Sequence, residues 1–129
     1  MAQITIYGLR KHLANKRKTL SDAIHTAVME AFGLPEEKRF HRFILLDPED
    51  FIFLPDRGKQ YTIIELSIFE GRSDDAKRQL IRLLFQNVEQ EVGIIAHDLE
   101  ITLVETPPAN GGIRGKVGDE LALNYRVDV

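Results

Sequence analysis

The chain has 129 residues, 43% of them hydrophobic and 29% charged, which suits one soluble domain with enough apolar material for a core. It contains no cysteine, which excludes disulfides, thiol catalysis and thiolate metal sites. The net charge of −3, the lack of a membrane-length apolar run and the lack of a signal-peptide pattern point away from nucleic-acid and membrane partners. They make the cytoplasm the default location.

Taken in chain order, residues 3–9 alternate around Ile4 and Ile6 and predict a strand that starts almost at the first residue. Residues 14–32 place Leu20, Ala23, Ile24, Ala27, Val28, Ala31 and Phe32 at helical spacing, and Gly33 and Pro35 stop that helix. A charged corner, PEEKRFHRF, leads into a second strand over residues 41–46, with Phe43 and Leu45 on one face. Residues 61–69 are rich in β-branched side chains and predict a third strand. Ser73 is placed to cap a second helix, with Asp74 and Asp75 favourable in its first turn. That helix runs through Leu80, Leu84 and Val88 to Val92 before Gly93, and residues 99–104 predict a fourth strand. The segment ETPPANGGIRGKVGDE reads as a loop, and residues 51–53 and 121–127 as short edge strands pairing across subunits.

The two halves repeat at an offset of 60 positions. Ile4 then meets Ile64, Leu20 meets Leu80, Ile24 meets Leu84, Val28 meets Val88, Gly33 meets Gly93 and Phe43 meets Leu103. The expected architecture is α/β (α+β) within one domain over residues 1–129: two β-α-β repeats, about 1–57 and about 58–129. They form a four-stranded sheet with both helices on one face. Ile63 and other strand residues of the opposite parity then need a cover, which self-association supplies most economically.

Several residues are candidates for chemistry. Arg72, between a strand end and a helix start in EGRSDD, is placed to bind a carboxylate bidentately; the alternative is a surface arginine paired with Asp74 or Asp75. Lys38 or Arg39 either faces a pocket or belongs to a solvated turn. His41 has the right pKa class for proton transfer but no partner in sequence. The four histidines lack metal-ligand spacing, and GGIRGKVGDE lacks the Gly-Lys-Ser/Thr order of a phosphate loop, so neither a metal nor a cofactor is expected. KHLANKRK is basic but opens an amphipathic helix. The remaining candidate is the α-amine, with a reference pKa of about 7.7–8.0 that burial or nearby cations lower, yielding a base held at a sheet edge.

The early strand, the duplication and the stretches AFGLPEEKRF and GRSDDAKRQLIRLLFQNVEQEVGIIAHDLEITLVE resemble the tautomerase superfamily, in its malonate semialdehyde decarboxylase-like branch. The resemblance implies a homotrimer whose sheets face inward. It also implies catalysis by an amino-terminal proline exposed on loss of the initiator Met, arginines that bind the substrate carboxylate, an Asp after the first helix and aromatic walls from the late loop. Residue by residue, the proline position holds Ala2, which serves as catalytic amine only if Met1 is removed. The arginine is kept as Arg72, its companion position holds Glu70, and the Asp position holds Lys38 beside Glu37. The wall positions fall near Gly111 and Ile113, and Arg114 adds positive charge. The implied function is binding of a small anionic oxo acid through Arg72, helped by Lys38, Arg39 or Arg114, with weak or no proline-type isomerase or lyase activity. The alternatives are a non-enzymatic trimeric binding or scaffold protein on a retired catalytic fold, and an enzyme using His41 or Tyr7 as acid–base beside Arg72.

Overall fold

A computed structural model describes residues 2–121 and 126–129. Strand β1 (Ala2–Leu9) runs directly into a short helix α1 (Arg10–Leu13), a 3-10 turn (Ala14–Lys16) and helix α2 (Arg17–Phe32). Strand β2 (His41–Leu46) closes the first half. The second half consists of β3 (Thr62–Phe69), α3 (Asp74–Val92) and β4 (Leu99–Thr106). The sheet order is β2-β1-β3-β4, with β1 parallel to β2, β3 parallel to β4, and the two halves joined by antiparallel pairing of β1 with β3. This is the expected four-stranded sheet built from two β-α-β units.

Alternation decides which face is covered. Ile4, Ile6, Ile64, Leu66 and Ile68 project to one side and are almost completely buried against Leu20, Ile24 and Val28 of α2 and Leu80, Leu84 and Val88 of α3. Each such side chain contributes about 1.5–3 kcal/mol by leaving water. Both helices therefore lie on that face, and each ends on a left-handed glycine, Gly33 and Gly93. The opposite face carries Ile44 and Val104, 40% and 48% exposed. Among the described residues no helix is long and apolar enough to cross a membrane.

One helix start differs from expectation, and the segment near residue 51, expected to pair across subunits, adds no strand to this chain's own sheet. The first helical segment begins at Arg10, four residues early, because no capping or breaking residue separates it from β1. Residues 51–53 are not a strand of this chain's sheet: Phe51 and Phe53 fold back onto Tyr61, with ring centroids 5.6 and 4.7 Å away. Aromatic packing thus fixes this segment, while Ile52 projects outward, 91% exposed. Of the other proposed edge strand, residues 122–125 lie outside the described residues, and Leu121, Arg126 and Val127 are not in a strand.

The late loop is more ordered than expected. After a 3-10 turn (Pro108–Asn110) it forms a hairpin of β5 (Gly112–Ile113) and β6 (Lys116–Val117), followed by a 3-10 turn (Gly118–Glu120). Arg114 and Gly115, at φ 52° and 80°, supply the two positive-φ positions of a tight hairpin turn. The hairpin root is seated on β3: Gly118 N–H donates to the Gly111 carbonyl at 2.7 Å, and a Cβ on Gly118 would strike the Pro108 carbonyl and approach Phe69 Cζ to 2.8 Å. Gly118→Ala should therefore lower stability by about 1–3 kcal/mol through overpacking. A urea titration checks this, with Gly112→Ala, which meets only Lys116 O at 3.8 Å, as the milder control.

Candidate functional site

Strand register gathers distant segments at one end of the sheet. Ala2 pairs with Ile68 near the end of β3, Ile4 N–H donates to the Phe40 carbonyl at 3.0 Å, and Glu70 N–H donates to the Thr106 carbonyl at 2.9 Å. The start of β1, the corner before β2, the ends of β3 and β4, and the root of the late hairpin therefore share one edge.

Arg72 is a buried cation at this edge, 5% exposed. Its guanidinium carbon lies 4.3 Å from the centroid of the Phe32 ring, and Nη1 donates to the Phe69 carbonyl at 3.5 Å. Phe32, at the C-terminal end of α2, thus forms an apolar platform under the charge, and a cation held in such surroundings interacts strongly with any anion that reaches it. Arg72 is buried rather than on the surface, while Asp74 pairs with Lys77 at 3.3 Å and Asp75 with Arg78 at 3.0 Å. Ser73 Oγ accepts from Ala76 N–H at 3.1 Å and caps α3 as expected. Lys77 also binds Glu105 at 2.8 Å, tying the start of α3 to the end of β4.

The other candidates divide. Ala2 is half-buried and packs against the core, two strand positions from Ile4. Lys38 is half-buried on the same edge, its N–H donating to the Pro35 carbonyl at 3.0 Å. Arg39 turns away: its Nη1 lies 2.5 Å from Asp22 Oδ1 and 3.3 Å from Ser21 Oγ on α2. Lys18 and Arg39 together hold the Asp22 carboxyl down at about 2. Ile113 is half-buried in the hairpin, whereas Arg114 is exposed at its turn, committed there by backbone geometry. Glu70 is exposed. Phe32 is legible in the sequence only as a core residue; its partnership with Arg72 joins two segments forty positions apart and has no local signal.

His41 and Tyr7 do not serve this edge. His41 faces α2, with Nδ1 2.7 Å from Ser21 Oγ and its ring edge-on to His25 at 6.0 Å. Tyr7 projects from the other face of the sheet toward Glu65; burial and that hydrogen bond raise its pKa. It also sits five residues along β1 from Ala2, about 16 Å at roughly 3.3 Å per residue. An acid–base role for either beside Arg72 is therefore dropped.

Burial, then His25 and Arg39, push the His41 pKa down to about 4. The native state holds this ring neutral while the unfolded chain protonates it near pH 6.5. Stability is then full above about 6.5 and lost as the pH falls toward 4. The residue as a whole is only half-buried, so the expected loss is about 1–2 kcal/mol rather than the full linkage value. Urea midpoints at pH 7 and pH 4.5 should fall less in His41→Gln than in the parent.

Among the described residues, Asp47, Glu49 and Asp50 are the one set of carboxylates close enough to share a cation. All three are exposed, and they follow Leu46, at the opposite end of the β1–β2 ladder from Ala2.

Comparison with known proteins identifies the lineage. The family model described as "Tautomerase enzyme" matches residues 38–114. A Bacillus subtilis (strain 168) protein described as probable tautomerase YrdN is 31% identical over 98 residues, covering 72% of this chain and 75% of the relative. The chain belongs to the tautomerase family. The matched span begins at Lys38, contains Arg72 and ends at Arg114 in the hairpin turn, before β6; Ala2 lies before it. The tautomerase fold agrees over nearly the whole chain. A malonate semialdehyde decarboxylase crystal structure superposes with a TM-score of 0.81 at 23% identity, covering 93% of this chain and 99% of that one. A structure of native fused 4-OT gives 0.81 at 19% identity, covering 92% and 98%.

Proposed function

We propose that this tautomerase-family protein binds a small anionic oxo acid at the edge shared by Ala2, Phe69 and Arg72, with Arg72 holding the carboxylate. The observation that carries the reading is a buried guanidinium on the Phe32 ring, at the end of the sheet where β1 begins. Lys38 adds charge to the same edge, and Ile113 supplies an apolar flank from the hairpin. Where Met1 is removed, the neutral amine of Ala2 takes the hydroxyl proton of a bound enol and returns a proton to the adjacent carbon, a tautomerisation that needs no cofactor. A primary amine without the ring of proline makes that turnover slow. The protein assembles as a homotrimer in this reading, burying the sheet face that carries Ile44 and Val104; fused 4-OT structures of the same fold are described as trimers.

Three features favour a second reading, a trimeric binding or scaffold protein on a retired catalytic fold. By the family resemblance Ala2 stands at the proline position and Glu70 at that of the companion arginine, and Arg72 is already engaged by Phe32. Turnover of phenylenolpyruvate and malonate semialdehyde separates the two. A rate above background that falls in Arg72→Ala supports the first; no rate, unchanged by that substitution, leaves the second.

A further inference from the structure

Phe32 is the last residue of α2, and it is 2% exposed within the core cluster. Gly33 follows in the left-handed conformation at φ 68°, and its N–H donates to the Met29 carbonyl at 2.9 Å, so the helix end that carries the ring is closed and fixed. The guanidinium carbon of Arg72 lies over that ring at 4.3 Å, and Nη1 reaches the Phe69 carbonyl at 3.5 Å. The ring sets where the guanidinium stands, and the carbonyl sets which way it is turned.

The nature of this hold matters for binding. A carboxylate partner fixes a guanidinium by cancelling its charge. An aromatic face attracts the cation through the ring quadrupole and adds no compensating charge. That attraction strengthens as water is excluded, and both residues are buried, at 5% and 2% exposure. The pair also joins the two repeats. At the offset of 60, Phe32 corresponds to Val92 and Arg72 to His12, so the corresponding positions hold neither a benzene ring nor a guanidinium.

We infer that Phe32 is a positioning residue: the electron-rich face of its ring holds the Arg72 guanidinium in the pose that receives a carboxylate. The inference deepens the anion-binding reading and rests on it. A phenylalanine that only fills the core acts through shape and apolarity. A positioning phenylalanine acts through the electron density of its ring, which fluorine withdraws with little change of shape.

The test is the affinity of the folded protein for malonate, read by isothermal titration calorimetry. Four proteins are compared: the parent, Arg72→Ala, and the parent chain with trifluorophenylalanine or pentafluorophenylalanine incorporated at position 32. A pentafluorinated face is electron-poor and repels a cation. Malonate affinity should therefore fall about tenfold with the pentafluorinated ring and about threefold with the trifluorinated one, on the scale of a desolvated cation–ring contact. The trifluorinated ring is nearer the parent in size and keeps the inference testable if the pentafluorinated protein folds poorly. Affinity unchanged by either ring, but lost in Arg72→Ala, overturns the positioning role and leaves Arg72 as the anchor. No malonate binding by the parent, or equal binding by Arg72→Ala, overturns the anion-binding reading and the positioning role with it.

Discussion

Replacing Ala2 by proline, in protein whose intact mass shows Met1 removed, should raise phenylenolpyruvate turnover by about 10²-fold or more. The start of β1 already fixes the position, because Ala2 pairs with Ile68 and its neighbours Ile4 and Ile6 are buried. What alanine lacks is the ring. A terminal primary amine rotates about its Cα–N bond, whereas a pyrrolidine nitrogen holds its lone pair in one direction, and orientation of a reacting group is a large part of catalysis. Retention of Met1 would move the amine outward by up to about 3.3–3.6 Å, enough to abolish the effect. Steady-state kinetics on mass-verified protein reads the gain. A rate unchanged by the substitution would mean that the amine at this edge does not meet the substrate.

The second large effect is at Arg72. Arg72→Ala should lower kcat/KM by about 10²–10³-fold, because alanine cannot make the charge-assisted, bidentate bond that a buried guanidinium offers a carboxylate. It should also cost about 1–3 kcal/mol of stability, since the guanidinium leaves the Phe32 face and its stem leaves a packed corner. The two effects are separable. Arg72→Lys keeps a cation on the ring but removes the planar fork, so stability should recover more than activity. A purely structural Arg72 predicts the opposite pattern: reduced stability in Arg72→Ala, with any residual activity preserved in the folded fraction.

Much of the fold is legible because the duplication repeats its burial pattern. Ile4 and Ile64, Leu20 and Leu80, and Val28 and Val88 are all core residues, and period-2 and period-3.6 patterns together fix the strands, the helices and the shared face. Local chemistry also fixes Ser73 as a cap and Gly33 and Gly93 as helix ends. The late hairpin is not legible because its turn uses Arg114 in a left-handed conformation, where asparagine or aspartate gives the usual signal. The early start of α1 is hidden because a basic first turn without a cap offers no start signal.

The site is legible in position more than in contact. The place of Arg72 between strand and helix marks it as a candidate, but its packing on Phe32 joins residues far apart in sequence. Arg39 is equally plausible in sequence, and only the fold shows that Asp22, on the preceding helix, takes its charge. The duplication itself distinguishes the two ends of the sheet: at the same offset of 60, Arg72 corresponds to His12 and Ala2 to Thr62, so only one end of each chain combines the start of the chain with an arginine.

The most direct test of Arg72 as the carboxylate anchor compares phenylenolpyruvate with its methyl ester on the parent protein and on Arg72→Ala. The parent should prefer the free acid by about 10²-fold in kcat/KM, and the preference should collapse toward unity in Arg72→Ala, because only the carboxylate offers the guanidinium a charge. The same acid-over-ester ratio in both proteins, or no preference in the parent, would contradict the assignment.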